Sequence, residues 1–294
     1  IKNGWRFNSI KFEKLSFCLN KNQNQTKIVY KMKNYSQIPT IILCGGLGTR
    51  MREETEYKPK PMVLIGGKPM LWHIMKIYSH YGYNNFILAL GYKGEMIKDY
   101  FLNFKTFIND FELETSTDKI NYCNGLEDNF KILFAETGLE SATGERILRI
   151  KKYLKDDLFM LTYGDGVSDI DINKLVDFHL KQKTSGTITG VHPFSRYGMI
   201  KMDRKKKLVI DFEQKPLMFD YVSGGFMVFH KKALKYFDKG PMENGLKKMA
   251  KDKQLSVYCY DGFWKAMDTY REMEELNKLW EEKKPWAVWE KKKN

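Results

Sequence analysis

Short apolar runs alternate with stretches of helical periodicity through the first half of the chain. The runs predict buried strands at residues 41–43, 86–90, 131–136 and 158–163. Leu71, Ile74, Met75 and Tyr78 recur at helical spacing and predict a helix over 70–81, and a second amphipathic helix is predicted over 95–104. Strands and helices alternating at this interval predict an α/β fold with a doubly wound, mostly parallel sheet. Ligands of such sheets bind beyond the carboxyl ends of the strands.

The second half of the chain predicts a different local organisation. Residues 110–129 are polar and unpatterned, which is typical of a loop with a hairpin. Short strands predicted at 187–191, 199–202 and 208–212 have hairpin-like spacing and indicate a small antiparallel region added to the sheet. A charged helix is predicted over 272–281, and Trp280 near its end begins a tryptophan-rich tail that includes Trp286 and Trp289. We expect these tryptophans to form a hydrophobic clasp on the domain.

Length and composition limit the class of protein. The 294 residues are 43% hydrophobic, enough for one large α/β domain or two small ones, and no apolar run is long enough to span a bilayer. The four cysteines lie at positions 18, 44, 123 and 259 without a Cys-x-x-Cys pair, and the five histidines lack zinc-site spacing. We therefore expect a reduced, cytoplasmic protein with no membrane partner.

A formal net charge of +14 raises the question of a nucleic-acid partner. Residues 1–38 carry eight of the basic residues and one acidic residue, so half of the excess lies there. No motif that combines aromatic and basic residues for RNA binding is present, so lysine-rich solubility explains the charge better. Residues 1–38 are predicted to be a poorly ordered extension or an arm that packs on a neighbouring subunit, and 39–294 to be the folded domain with a helical tail.

The segment 39–67 carries the clearest candidate chemistry. The predicted strand at 41–43 is followed by Gly45, Gly46 and Gly48, and such glycines let backbone N–H groups approach an anion. This loop is neither a Rossmann fingerprint nor a P-loop, and a plain strand-to-helix connection is an equally good explanation of the glycines alone. Arg50, and Lys60 between two prolines, add two cations at fixed offsets. Together they indicate a triphosphate site.

Several motifs in fixed order resemble the sugar-nucleotide pyrophosphorylase superfamily. They are GGLGTR, REET, KPKPM, IGGKP, LWHIMK, GYKGEMIKDYF, TYGDGVSDIDI, GFWKAMDT and KPWAVWE, which run from about residue 40 to 290. The REET-containing form is similar to the glucose-1-phosphate cytidylyltransferase branch. The resemblance implies a Rossmann-like, GT-A-like nucleotidyltransferase fold, with CTP and a phosphorylated small molecule as substrates and Mg²⁺ as the cofactor. It also implies a homo-oligomer.

The resemblance also implies a role for individual positions. Residues that match the family's catalytic groups are Arg50, Lys60, Asp165 and Asp268, and the two aspartates match its magnesium ligands. The nucleotide-binding set is Leu43, Cys44, Gly45, Gly46, Gly48, Thr49, Arg50, Thr55, Lys60, Thr137 and Gly164. The acceptor-binding set is Glu145, Arg146, Gln214, Lys215, Ser223, Gly225 and Lys265.

Four acceptor-side positions depart from the usual pattern, which leaves the acceptor open. Glu145 replaces a glycine, Gln214 a glutamate, Ser223 an asparagine and Lys265 the more frequent glutamine. One interpretation is drift, with glucose 1-phosphate retained and CDP-glucose made for a surface polysaccharide. The other is a non-sugar phosphate such as phosphoglutamine, whose ammonium and carboxylate would pair with Glu145 and Lys265. A non-catalytic nucleotide-binding subunit is a third, weaker interpretation.

Overall fold

A seven-stranded sheet forms the centre of the protein in the computed structural model, which describes residues 37–123 and 128–290. The strands are β1 (Thr40–Leu43), β2 (Leu64–Ile65), β3 (Lys68–Pro69), β4 (Asn85–Leu90), β5 (Phe111–Glu114), β6 (Lys119–Tyr122), β7 (Lys131–Glu136), β8 (Leu158–Tyr163), β9 (Gly166–Ser168), β10 (Gly186–Val191), β11 (Gly198–Asp203), β12 (Leu208–Gln214), β13 (Val222–His230), β14 (Leu255–Tyr260) and β15 (Trp264–Ala266). The α-helices are α1 (Arg52–Thr55), α2 (Met70–His80), α3 (Gly94–Leu102), α4 (Phe104–Ile108), α5 (Thr143–Ile150), α6 (Ile172–Gln182), α7 (Met242–Lys251) and α8 (Tyr270–Glu282). Short 3-10 turns cover Thr49–Met51, Lys60–Met62, Lys151–Tyr153 and Lys231–Tyr236.

The sheet order is β14-β10-β13-β8-β1-β4-β7, and β13 is the strand that runs against its neighbours. The pairs β8-β1, β1-β4, β4-β7 and β10-β14 are all parallel. These pairings confirm the predicted α/β fold with a mostly parallel, doubly wound sheet. Parallel neighbours are joined by crossover connections, which place helices on both faces of the sheet.

The predicted antiparallel region was partly wrong. Residues 187–191 belong to β10 of the central sheet, and β11 and β12 pair with each other as a separate two-stranded sheet. The segment 110–129 does contain the expected hairpin, formed by β5 and β6. Most of the predicted N-terminal extension, residues 1–36, lies outside the described residues, whereas Ile38 is buried in the core.

Two hydrophobic clusters cover the two faces of the sheet, because successive strand residues point to opposite sides. Ile42 and Leu88 join one cluster with α2 and α6, and Ile41 and Ile87 join the other with α5 and α7. Each fully buried side chain of this size stabilises the fold by about 1.5–3 kcal/mol. In the described part of the chain, no helix is both long and apolar enough to cross a membrane.

Arg146 ties together the segments that follow β1, β4 and β7. Its buried guanidinium donates five hydrogen bonds, to the carbonyl oxygens of Gly45, Leu90, Gly138 and Leu139 and to Thr137 Oγ1, at 2.7 to 3.2 Å. A Cβ at Gly45 would lie 2.2 Å from Arg146 Nη1. The absence of a side chain at Gly45 is therefore required by the approach of this arginine.

The predicted tryptophan clasp is present on the domain. Trp286 is fully buried, and its Nε1–H donates to His73 Nδ1 at 3.2 Å. His73 Nε2 lies 2.8 Å from the carbonyl oxygen of Ile65, so His73 is the neutral tautomer that donates from Nε2. Burial lowers the pKa of His73 to about 4, which keeps it neutral near pH 7.

We expect Arg146→Met to lower the free energy of unfolding by at least about 3 kcal/mol, since five hydrogen bonds from one buried, charged donor group are lost at once. Chemical denaturation measures this loss. The matched control is Arg149→Met, one turn further along α5, because Arg149 is half exposed and pairs with Glu145 at 2.9 Å. Such exposed pairs contribute about 0.3–0.5 kcal/mol. Equal losses for the two variants would contradict the role of Arg146.

We expect Trp286→Ala to cost about 3–5 kcal/mol of unfolding free energy through the cavity it leaves. Trp286→Phe keeps most of the ring but removes the donor to His73, so it should cost about 1–3 kcal/mol. Leu102→Ala, at a side chain that is 80% exposed, serves as the control and should change stability by less than about 0.5 kcal/mol. A Trp286→Ala variant as stable as this control would refute the clasp.

Candidate active site

A cavity of about 350 Å³ opens at the carboxyl ends of β1 and β8. This is the position at which open α/β sheets bind ligands. Its lining within the described residues is Leu43, Cys44, Gly45, Gly46, Gly48, Thr49, Lys60, Pro61, Ser141, Ala142, Thr143, Arg146, Tyr163, Gly164, Asp165 and Asp268. Eight of the eleven predicted nucleotide-binding residues and both predicted metal ligands therefore face one space.

The glycine loop after β1 is shaped by contacts to the following turn. Gly48 has φ +64°, and a Cβ there would lie 2.7 Å from Cγ2 of Thr55. The buried Thr55 hydroxyl donates to the carbonyl oxygens of Gly48 and Met51, at 3.0 and 2.9 Å. Within the described chain, a Cβ at Gly46 would meet no atom within 4 Å, so its backbone borders open space. Thr55 thus supports the loop, whose backbone faces the cavity.

Two further predicted nucleotide-binding residues, Thr137 and Arg50, do not belong to the cavity lining found in the described residues. Thr137 is fully buried and uses its hydroxyl on the Leu90 carbonyl while accepting from Arg146. The backbone of Arg50 lies in the 3-10 turn Thr49–Met51, next to the lining residue Thr49, and its side chain is outside the described part of the structure.

Lys60 bridges the two carboxylates that the sequence singled out. Its Nζ lies 2.6 Å from Asp165 Oδ2 and 2.8 Å from Asp268 Oδ1. Burial acts to lower the pKa of Lys60, but the two carboxylates outweigh it and hold the pKa above its usual value. Lys60 is therefore protonated near pH 7. Its positive charge offsets the repulsion between the two carboxylates and holds the three side chains together.

Backbone contacts fix the two carboxylates relative to each other. Asp165 lies between β8 and β9, and β9 pairs with β15, which immediately precedes Met267 and Asp268. The Met267 N–H donates to the Asp165 carbonyl at 2.8 Å. The Asp268 N–H donates to Glu272 Oε2 at 2.7 Å, beside a capping box made by Thr269 and Glu272 at the start of α8. The geometry of this pair is thus held by a strand pair and a helix cap.

The donor set at Asp165 and Asp268 fits a hard cation. The described residues contain no group of three or more His, Cys, Asp or Glu side chains that could enclose a metal. Magnesium is usually held by one or two carboxylates together with substrate phosphates and water. Asp165 and Asp268 supply two such carboxylates, and because Lys60 contacts one oxygen of each, a bound ion would share them with the Lys60 ammonium.

Arg196 is a site residue that the sequence reasoning missed. Its Nη2 lies 3.3 Å from Asp268 Oδ2 and 3.5 Å from Glu272 Oε1. It lies between β10 and β11, and a single arginine in a loop carries no local signal. Pro61 and Tyr163 were also missed, although they adjoin the predicted Lys60 and Gly164. Tyr163 donates to Glu243 Oε1 at 2.8 Å, which fixes its ring at the cavity wall.

The predicted acceptor residues are less closely gathered. Arg146 lines the cavity, whereas the rest of the set falls outside the lining found in the described residues. Gln214 ends β12 and is exposed, and Lys215 follows it with φ 53°. Ser223 lies exposed in β13, and a Cβ at Gly225 would come within 2.7 Å of the Tyr163 ring. Gly225 thus shapes the wall indirectly.

Glu145 and Lys265 already have partners within the protein. Glu145 Oε1 lies 2.9 Å from Arg149 Nη2, and the hydrogen bond from Arg149 lowers the pKa of Glu145. Lys265 Nζ lies 2.6 Å from Glu275 Oε2, and this hydrogen bond lowers the pKa of Glu275.

The sequence of this domain is shared with known proteins. Residues 39–281 match the profile of the nucleotidyl transferase family. A probable glucose-1-phosphate cytidylyltransferase of Bacillus subtilis (strain 168) is 42% identical over 85% of this chain and 99% of its own length. The glucose-1-phosphate cytidylyltransferase of Salmonella typhimurium is 40% identical over 85% of this chain and 99% of its own.

Solved structures show the same fold. HddC from Yersinia pseudotuberculosis, crystallised with GMP-PN, superposes with a TM-score of 0.61 at 24% identity, over 83% of this chain and 99% of its own. The family profile matches nearly the whole domain, and the curated relatives are 40–42% identical to the chain. The chain belongs to the nucleotidyl transferase family, within the sugar-nucleotide pyrophosphorylase superfamily and close to the glucose-1-phosphate cytidylyltransferases.

Proposed function

We propose that the protein transfers CMP from CTP to the phosphate of glucose 1-phosphate, giving CDP-glucose and pyrophosphate. The observation that carries this proposal is the Lys60 ammonium bridging Asp165 and Asp268 at the mouth of a glycine-loop cavity. The relatives at 40–42% identity, which are named for this reaction, support the choice of CTP and of the acceptor.

The reaction depends more on positive charge in the site and on alignment of the two substrates than on acid–base catalysis. A phosphate oxygen of the acceptor attacks the α-phosphorus of CTP, the new P–O bond forms, and the bond to the β-phosphate oxygen breaks to release pyrophosphate. The attacking oxygen is already anionic, so no side chain has to remove a proton. Holding the two phosphates in line and stabilising the added negative charge accounts for most of the acceleration in such transfers.

We assign the roles as follows. Lys60, one of the most buried cations at the cavity, would contact the α-phosphate, where charge develops. The glycine loop would accept the nucleotide through its backbone, Arg50 would stabilise the leaving pyrophosphate, and Lys215 would orient the acceptor phosphate. Asp165 and Asp268 would hold Mg²⁺. When bound, that ion neutralises phosphate charge and aligns the reacting groups.

The internal pairs of Glu145 and Lys265 favour a sugar phosphate over phosphoglutamine. An amino-acid acceptor would have to break the contacts of Glu145 with Arg149 and of Lys265 with Glu275 before it could be recognised. Glucose 1-phosphate places no such demand on them. A nucleotide-activated hexose is the class of donor that glycosyl transfer consumes, so we infer a role in surface polysaccharide biosynthesis.

The first test is pyrophosphate release with CTP and Mg²⁺ and either glucose 1-phosphate or phosphoglutamine. We expect turnover with glucose 1-phosphate, and we expect the double variant Glu145→Gln/Lys265→Gln to keep the same acceptor preference. Turnover confined to phosphoglutamine would overturn the sugar assignment. CTP binding without release for either acceptor would instead support a non-catalytic subunit.

We expect Lys60→Met to lower kcat by about 10²-fold or more, since it removes a positioned charge that stabilises the transition state. Steady-state kinetics measure this. Lys58→Met is the matched control in the same proline-rich loop, because Lys58 pairs with Glu54 at 2.9 Å and lies outside the cavity lining of the described residues. The control should keep kcat within about twofold. Equal activity of both variants would remove Lys60 from the chemistry.

A further inference from the structure

Arg196 combines an exposed side chain with a backbone that is held in place. The Ser195 hydroxyl donates to the Tyr197 carbonyl oxygen at 2.8 Å and accepts from the Tyr197 N–H at 3.2 Å. These two bonds close a tight turn around Arg196, as serine hydroxyls do in loops. The Arg196 side chain is nevertheless 59% exposed. A charge presented from a fixed loop is typical of a binding residue rather than of a core contact.

Backbone pairing places Arg196 opposite Lys215, which is assigned above to the acceptor phosphate. On one side of this point the β11–β12 ladder pairs Gly198 with Gln214. On the other side the Ser195 N–H donates to the Pro216 carbonyl oxygen at 2.8 Å. Two residues, 196 and 197, thus oppose Lys215 alone, which is the arrangement of a β-bulge. Bulges redirect side chains and are frequent next to active sites.

Lys215 itself has the features of an anion ligand. Its φ of 53° lies in the left-handed region, which is uncommon for a residue other than glycine. Backbone conformations of this kind are concentrated at ligand-binding sites. Lys215 is half-buried, and its ammonium has no ion-pair partner among the described residues. A charge that is partly withdrawn from water without a partner indicates a place for an anion.

One end of the Arg196 guanidinium is anchored beside the proposed metal ligands. Its Nη2 lies 3.3 Å from Asp268 Oδ2 and 3.5 Å from Glu272 Oε1. In the described part of the chain, Nε and Nη1 have no partner. The guanidinium can therefore keep its contact with Asp268 while its remaining N–H groups donate to a ligand. A ligand bound in this way would lie next to Asp268.

The two cations across the bulge suit a phosphate monoester. The planar fork of an arginine matches two phosphate oxygens, and a lysine ammonium adds a point charge. Lys60 contacts Asp268 Oδ1, whereas Arg196 contacts Oδ2 of the same carboxylate. A phosphate on Arg196 and an α-phosphate on Lys60 would therefore be neighbours, as transfer from one to the other requires.

We propose that Arg196 is a further substrate-binding residue, which holds the phosphate of the acceptor together with Lys215. This role rests on the reaction proposed above, since that reaction supplies an acceptor phosphate. The alternative is that Arg196 only supports Asp268 and the start of α8 through Glu272. An arginine with that role would affect kcat through Asp268 and would leave the affinity for the acceptor unchanged.

Isothermal titration with glucose 1-phosphate tests the role of Arg196. Mg²⁺ and an α,β-methylene analogue of CTP are present, so binding is measured without turnover. We expect Arg196→Gln to raise the Kd of the acceptor by about 10- to 100-fold, because charge-assisted hydrogen bonds are lost. Arg196→Lys keeps the charge but not the fork and should give an intermediate Kd. The affinity for the CTP analogue should be unchanged in both variants.

The matched control is Arg204→Gln, which removes an exposed basic residue from the turn of the same hairpin. It should bind glucose 1-phosphate like the unaltered chain. Chemical denaturation checks that all variants are folded. An acceptor affinity of Arg196→Gln equal to that of the control would overturn the proposal. A lower kcat with unchanged acceptor affinity would also overturn it, because it would identify a support of Asp268.

Pyrophosphate release with CTP separates this proposal from the proposed reaction. Release by the unaltered chain, together with equal acceptor affinity of Arg196→Gln, would remove the role of Arg196 alone. An unaltered chain that neither binds nor turns over a phosphorylated acceptor would overturn the reaction and this role with it. If phosphoglutamine is the acceptor that is turned over, the same loss is expected with that ligand, because Arg196 contacts the phosphate that both acceptors carry.

Discussion

One buried guanidinium holds the floor of the cavity together. Arg146 donates to carbonyl groups from three segments at the ends of parallel strands. The carbonyls of Leu90 and Gly45 also accept from the backbone N–H groups of Thr137 and Tyr92, so the guanidinium adds to these backbone contacts. The planar fork of arginine carries more N–H donors than a lysine ammonium and spreads them over a wider arc. The glycine at position 45 is a consequence of this contact, so part of a motif that resembles a phosphate loop in sequence serves the approach of an arginine.

The second constraint is electrostatic and acts over long sequence distances. Asp165 and Asp268 come from different parts of the chain, and placing both in one partly buried site is unfavourable without a cation. Lys60, more than a hundred residues before Asp165, supplies that charge from a turn stiffened by Pro59 and Pro61. The sheet, the β9–β15 pair and the cap of α8 all act to bring these three side chains together. Their meeting is therefore a property of the whole fold.

Local patterns predicted much of the architecture. The helix expected at 70–81 is Met70–His80, and the strand expected at 86–90 is Asn85–Leu90, because amphipathic period and apolar runs are local signals. The assignment of 187–191 to a small antiparallel region was wrong, since pairing with β14 and β13 is decided by segments far along the chain. The site residues likewise fall into those that carry a local sequence signal and those that do not. The glycine loop, Lys60 and the aspartates carry motifs, whereas Arg196 and the inward bonding of Arg146 arise from tertiary contacts. The roles of the acceptor-side residues stay predictions.

The position of Trp286 also has a consequence for folding during translation. A ribosome delivers β1, the glycine loop and α2 first, while the tryptophan that covers His73 and the aspartate that completes the contacts of Lys60 emerge much later. A domain generally folds as one unit, so its packing is completed only after all of its elements have been synthesised. During translation the apolar side of α2 is consequently uncovered and Lys60 lacks one of its carboxylates. An incomplete chain therefore leaves the apolar surroundings of His73 exposed until Trp286 has been synthesised, and transiently exposed apolar surface favours aggregation.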